Sequence, residues 1–518
     1  SDEFDVGTLT SISTFGSFGF NMVLNGKGID LENLVAQAKG ELLNLEYRDY
    51  IYDRVSLEGN LTSEKFNGKI VVFDKALDLD LSGQIDFASA TRNFSFTTNI
   101  NNADFSVLGW FPKTQKAVFS GAIDLALQGN TLDEMIGDLY VERGKLSTAA
   151  ATYSFSSVAA QSRLSNNVRL INISSEDVAS GLIVGEFKPS ELIPLVQNAL
   201  GSQYKNFNPH PISPNQYVDF NFNIKSKIAS AIFGKVLALD DNTFIRGKVN
   251  PEEKLFKLNI RSPKLGLYGA DLHNLEVQID TQNPLYHSFV SADRVENSKI
   301  KLEGLNWINT RLNDKLFGRL EFVSVDKPSH MNQFNIAFTI DSEAKAVLEI
   351  LTADFYFNDS HWFVETDDSL PTLTAKSANE FTLSNLTVKS DSSLISVRAD
   401  QNGEDSFSLG LVFEKVNLKD ILSYEKDNWE GVVDGFFNLH KSANQYGGNS
   451  NASFTNLALN DISIGNAFLT LQSQDNSREY ELAFRVEQEG EDVVASFGTL
   501  GFKNYKPNLN LTANFNNY

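Results

Sequence analysis

Cysteine is absent from the 518 residues. The chain can therefore form no disulfide, present no thiolate to a metal and offer no thiol nucleophile. Such a chain also tolerates an oxidising compartment without mispairing, and the lack of disulfides over this length fits a bacterial envelope protein better than a secreted animal one. Positive charge is in deficit, with 44 Lys and Arg against 66 Asp and Glu and a net charge of -22. A surface of that sign repels phosphate backbones, so no nucleic acid is expected as a partner. Long apolar runs are missing too. The longest is four residues, as at Ile70–Phe73, too short for a membrane-spanning helix or a signal-peptide core.

Catalytic and metal-binding patterns are equally scarce. His210, His273, His287, His330, His361 and His440 lie far apart, none with a second histidine at metal-binding spacing. Asp78-x-Asp80-x-Ser82-Gly83 imitates the opening of a calcium loop, but Ser89 stands where a bidentate glutamate is needed, and aspartates in alternate positions read as the wet face of a strand. Gly26-x-Gly28 has Leu31 in place of the third glycine of a dinucleotide fingerprint. No nucleophile elbow and no convergent acid pair can be found. The expectation is a protein that is not an enzyme and takes no metal or cofactor.

What the chain does have is phenylalanine, 39 of them, beside only 3 methionines and 12 prolines, a strand-forming composition. Apolar residues recur at every second place. Leu77, Leu79, Leu81, Ile85 and Phe87 alternate with Asp78, Asp80, Ser82, Gln84 and Asp86. The pattern returns at Phe119, Ile123, Leu125 and Leu127; at Val218, Phe220, Phe222 and Ile224; and at Phe334, Ile336, Phe338 and Ile340. It returns again at Phe407, Leu409, Leu411 and Phe413, and at Tyr480, Leu482, Phe484 and Val486.

Asn25-Gly26, Asn67-Gly68, Asn402-Gly403 and the Gly447-Gly448 stretch supply hairpin-type turn residues, which predicts an antiparallel meander. Leu57-Glu58-Gly59, Leu81-Ser82-Gly83 and Leu302-Glu303-Gly304 read as strand ends relaxed by glycine. Two phrases repeat. Leu24-Asn-Gly-x-x-Ile29-Asp matches Leu127-Gln-Gly-x-x-Leu132-Asp, and Ala103-Asp-Phe-x-x-Leu108 matches Phe187-Lys-Pro-x-x-Leu192 and Val416-Asn-Leu-x-x-Ile421. Helices are expected only at Ser190–Gly201, starting a residue or two late because of Pro194, and at Ile29–Ala38. No linker composition interrupts the pattern, so residues 1–518 read as one elongated body with a loop break at 202–216. Both ends fall inside strand patterns, so the chain reads as a piece of something longer, with any membrane anchor outside it.

An all-β chain with so few helices cannot cover the apolar face of a long, twisted antiparallel sheet from its own residues. If that sheet curls into an open, taco-like groove, something apolar from outside completes the burial. A lipid tail suits, since each buried methylene gives about 0.8 kcal/mol and a ~16-carbon chain on the order of 10 kcal/mol. Separate β-sandwiches would need linkers between cores, and a membrane barrel would place its aromatics at strand ends instead of mid-strand.

Three stretches resemble one family. Phe119-Ser-Gly-Ala-Ile-Asp-Leu-Ala-Leu-Gln-Gly129-Asn-Thr-Leu-Asp133-Glu-Met-Ile-Gly137-Asp-Leu-Tyr-Val141 resembles the strand, glycine, "TLD" and "G-D-L" phrase of the TamB branch of AsmA-like proteins. Asp354-Phe-Tyr-Phe-Asn-Asp-Ser-His-Trp362 and Phe407-Ser-Leu-Gly-Leu-Val-Phe-Glu-Lys-Val-Asn417-Leu-Lys-Asp-Ile-Leu422, followed by Trp429-Glu-Gly431, are similar to phrases of Bacteroidetes-type TamB-like proteins. The resemblance implies a Gram-negative periplasmic protein spanning between the inner and outer membranes. It would be anchored in the inner membrane, with a long β-groove that carries phospholipid or another acyl-chain lipid, or helps assemble outer-membrane barrels with a TamA-type partner. The family's anchor helix and its C-terminal partner-binding part have no counterpart in these residues.

Overall fold

Neighbouring side chains on a strand point to opposite faces, so an alternating sequence can bury only one side of the sheet it joins. In a computed structural model of the chain the alternating segments are strands, with 74% of the protein in strands and 4% in helices. The structure describes residues 4–5, 16–27, 35–47, 50–109, 116–149, 151–225, 237–298, 301–325, 328–357, 360–366, 369–377, 379–403, 405–422, 428–442, 445–473, 479–503 and 506–515.

Where the sequence reads as one body, contacts group the chain into two compact units. The first comprises Ser1–Ser202, Pro209–Gln282 and Val290–Ile300, the second Gln203–Asn208, Asn283–Phe289 and Lys301–Tyr518. A division that falls inside the strand Ser288–Glu296 leaves no mark in composition. Of the expected loop at 202–216, which has no regular structure after residue 202, only Gln203–Asn208 groups with the second unit.

The first unit is an antiparallel meander in which successive strands pair from Ser17–Lys27 to Ala270–Asp280. The second repeats the plan from Lys301–Leu312 to Lys506–Phe515. One lane there is split, because Ser360–Val364 and Thr372–Ser377 both lie between Ala346–Phe357 and Glu380–Ser390. Both meanders are consistent with a sheet curled into a groove.

Tight hairpins are made by Asn166-Asn167, Asn313-Asp314 and Asn460-Asp461, whose φ values of 49° to 67° are those of two-residue type I′ turns. Of the expected turns only Asn402-Gly403 ends a strand; Asn25-Gly26, Asn67-Gly68 and Gly447-Gly448 lie inside strands. The reason is close approach. Gly68 pairs with Gly59 on one side and Gly83 on the other, and a Cβ on Gly68 would sit 2.8 Å from the Glu58 carbonyl oxygen. Gly59 and Gly83 are therefore mid-strand, while Gly304 does occupy a bulge, at φ 60° beside the register shift between Glu303 and Asn306.

Helix α1, Leu192–Gly201, follows a 3-10 turn at Pro189–Glu191, so Pro194 falls in the first turn, where its missing N–H is not needed. Leu195 and Ala199 are fully buried and, with Leu192 and Val196, pack against Val218, Val249 and Phe256. The other expected helix is corrected. Residues 29–34 lie outside the described residues, and Val35–Ala38 opens the strand Val35–Tyr47, whose pairing on both edges overrides local helix propensity. A second short helix, α2, spans Leu418–Leu422.

The entry to α1 is held by two carboxylates. Asp133 accepts from the Ser190 backbone N–H at 2.9 Å and its hydroxyl at 2.7 Å, and Glu191 from the Ser213 N–H at 2.6 Å and its hydroxyl at 3.0 Å. Those bonds, led in each case by the backbone N–H, hold both carboxyls below their ordinary range. Groups so depressed stabilise the fold above an unfolded pKa of about 4 and lose that contribution as pH falls through their folded values. Thermal melts across pH 2 to 6 should show Asp133→Asn and Glu191→Gln flattening the acid limb; unchanged slopes in both variants would contradict the assignment.

Candidate functional site: the apolar sheet faces

Register decides which alternating segments share a face, since directly paired residues lie on the same side of the sheet. In the first unit one row runs from Phe94 through Leu127, Gly137, Ser162, Ile171, Ile183, Phe220, Gly247 and Leu258 to Ile279. Beside it, Phe96 leads through Leu125, Leu139, Ala160, Ile173, Gly181, Phe222, Ile245 and Ile260 to Val277. Leu81 joins this face opposite Ile70 and Thr98, with Ile123 beyond Thr98; Leu79 lies opposite Val72 and Ile100, Leu77 opposite Ala103, and Ile85 opposite Phe66 and Phe94. Phe119 stands between Ala103 and Leu146, Val218 opposite Val249, and Ile224 between Ala179 and Thr243. Three sets of residues scattered over some 150 positions thus make one surface.

In the second unit Phe338 pairs with Leu316 and Leu348, and the row continues through Leu373, Leu383, Ala399 and Leu409 to Leu439. Phe334 faces Leu320 and Ala353, Ile336 faces Gly318 and Ile350, and Ile340 faces Ala346. Leu411 leads through Phe437, Ser450, Leu471 and Leu482 to Gly498, flanked by Phe413 opposite Gly435 and by Phe484 opposite Leu469. Phe407 sits at the rim between Gln401 and Lys441. Phe87 stands apart, beyond the end of its strand and 37% exposed.

Burial sorts these residues into two kinds. Phe119, Val218, Tyr480 and Val486 are buried, whereas Leu79, Leu81, Ile123, Leu125, Phe222, Phe334, Leu409, Leu411 and Phe484 are only half-buried. The difference lies in what covers the strand ends. The Ala103-Asp-Phe-x-x-Leu108 phrase leaves its strand in a turn in which the Asp104 carboxylate accepts from the Ser106 N–H at 3.1 Å, and Leu108 and Phe105 pack over Ala76, Ala103 and Tyr52. Its counterparts place Phe187 and α1 over Val218 and Phe256, and Leu418 and Ile421 of α2 against Val416 and Val433. All three copies are strand-end turns that shelter the margin of an apolar face. The Phe94–Ile279 row shares in that cover, since Ile171, Ile183, Phe220, Leu258 and Ile279 pack against the α1 cluster, whereas the Phe96–Val277 row lies outside these clusters.

Total accessible surface is large for the mass. Two separate globular bodies sharing 57.5 kDa would expose about 23,000 Å² between them, against 30755 Å² here. Polar atoms on the sheet faces are few, and two of them, the hydroxyls of Thr98 and Ser450, are buried without a hydrogen-bond partner. Both follow the alternation, Thr98 after Phe94 and Phe96, and a reading that admitted threonine and serine as small apolar equivalents would have found them.

Arg169 was not legible from sequence. It is 2% exposed and donates to the carbonyls of Asp133 and Met135 and to the Ser162 hydroxyl, so a guanidinium ties the 133–135 turn to the sheet beside α1. Among the described residues no group of three or more potential ligands could hold a metal ion, and no helix is long and apolar enough to cross a membrane. No family model, curated protein or solved structure matches this chain.

Proposed function

We propose that the chain carries acyl-chain lipids, its half-buried apolar faces shielding hydrocarbon from water between the two membranes of a Gram-negative envelope. The observation behind this reading is the mostly apolar, half-buried mid-strand rows, such as Phe96 to Val277 and Leu411 to Leu482, that lie outside the buried clusters around α1 and α2. Binding spread along such rows amounts to about 0.8 kcal/mol per methylene at most, so a chain is held in many equivalent positions and slides instead of being trapped. The same proposal takes in phospholipid as cargo, an inner-membrane anchor outside these residues and a TamA-type partner, all drawn from the resemblance to the TamB branch.

Protein purified without detergent should release phospholipid or fatty acid on organic extraction, detected by mass spectrometry. Photocrosslinkers at Leu125 and Leu411 should capture the same lipid. Capture of unfolded polypeptide at those positions, with no lipid, would favour a scaffold for outer-membrane barrel assembly.

A further inference from the structure

Three glycines on the apolar faces share one arrangement. A Cβ built on Gly144 would lie closer than 3.0 Å to three atoms of the Phe155 ring, one on Gly247 as close to the Phe220 ring, and one on Gly318 as close to the Trp307 indole. In each case the three nearest obstacles belong to the ring alone, with no backbone among them. Phe155 and Gly144 are direct cross-strand partners, as are Phe220 and Gly247, while Trp307 reaches Gly318 diagonally. The glycines are buried and the rings half-buried, so each ring lies over its glycine with part of it accessible, Phe155 and Phe220 also packing against the clusters around Leu146 and Val249. Trp307 is fixed in this pose by a 3.1 Å hydrogen bond from its Nε1 to the Ser288 hydroxyl.

An aromatic side chain normally stands off a sheet, roughly perpendicular to it. Laid flat over a glycine, it becomes part of the floor, and the space above it is given to whatever occupies the face. Rings over glycines also stabilise sheets, so a purely structural role must be separated by experiment. We infer that the pairs Gly144–Phe155, Gly247–Phe220 and Gly318–Trp307 set the depth of the acyl-binding faces and thereby the bulk of chain they admit. The inference rests on the acyl-carrier reading. An alanine methyl at any of the three positions lifts the ring by about 1.5 Å to restore ordinary contact distance. That height is close to what a methyl branch on a hydrocarbon chain occupies, so thick chains are lost before thin ones.

The test displaces a fluorescent straight-chain fatty acid with hexadecanoate or with the multiply methyl-branched phytanate. Wild-type protein should take both acids with similar affinity. The triple variant Gly144→Ala, Gly247→Ala, Gly318→Ala should keep hexadecanoate within about threefold and lose phytanate by about tenfold, a difference of ~1.4 kcal/mol. Adding Phe155→Leu, Phe220→Leu and Trp307→Leu should restore phytanate, with circular dichroism reporting the fold of every variant. Equal loss of both acids, no change in either, or no rescue would overturn the inference while leaving the carrier reading intact. Failure of wild-type protein to bind either acid would overturn the carrier reading and the inference with it.

Discussion

Leu125→Asp should empty the first unit of acyl chains while the protein stays folded. Leu125 sits mid-strand between Phe96 and Leu139 and is only half-buried, so a carboxylate there keeps most of its hydration in the free protein. The cost to folding should be about 1 kcal/mol, the ordinary scale for a single substitution. With a lipid tail laid over the row, the same carboxylate would have to be dehydrated without a partner, which costs several times more. Occupancy by a fluorescent acyl probe should fall at least tenfold at neutral pH, with recovery on acidification as the carboxyl is neutralised. Leu81→Asp and Leu411→Asp should behave alike, the latter in the second unit. Asp124→Asn is the control, because Asp124 faces away, accepting from the Thr97 hydroxyl at 2.7 Å, and its loss should leave occupancy unchanged. A Leu125→Asp protein that binds acyl probe as well as wild type would remove the apolar rows from the mechanism.

Leu125 was legible because alternation depends on nothing but the two-residue period of a strand, and that period survives any tertiary arrangement. The same period identified Leu81, Phe222 and Leu411 as members of an apolar face. It could not say that Leu127 stands beside Phe94 or that Phe338 and Leu409 share a row, because register is a long-range property. Glycine misled for a related reason. Gly68 and Gly448 follow residues that make good hairpin turns elsewhere, yet their role is to let neighbouring strands and rings approach, and nothing within a few residues of them reveals it. Hairpin turns form without glycine at Asn166-Asn167 and Asn460-Asp461 and with it at Tyr268-Gly269 and Glu489-Gly490. Val35–Ala38 suits a helix as well as a strand because short runs of alanine and valine satisfy both periods, and pairing on both edges makes it strand.

The three strand-end phrases were legible as a repeat but not as a device. Ala103-Asp-Phe, Phe187-Lys-Pro and Val416-Asn-Leu share spacing because each takes the chain from a strand margin into a turn whose apolar residues fold back. A closed core would need such turns along every row. Here they occur at margins, which leaves rows such as Phe96 to Val277 half-buried.

Trp362 shows how steeply that local cover matters. It is 2% exposed, the largest fully buried side chain described, and packs with Val416, Leu418, Val433 and Phe355 in the cluster that α2 completes. Truncation to alanine should cost about 3–5 kcal/mol, combining lost burial with a cavity too confined to collapse. The indole Nε1 is also buried with no hydrogen-bond partner. Its presence therefore costs on the order of 1–3 kcal/mol in desolvation, and Trp362→Phe removes that cost together with part of the ring. The two changes oppose each other, so Trp362→Phe should lie within about 1.5 kcal/mol of wild type although it deletes several heavy atoms. Urea unfolding of both variants, followed by far-UV circular dichroism, separates the contributions. A phenylalanine variant as unstable as the alanine one would mean that shape at this site outweighs the unpaired N–H. With the expected order, the cluster under α2, which also takes in Phe413 and Phe484 from the sheet, anchors the second unit.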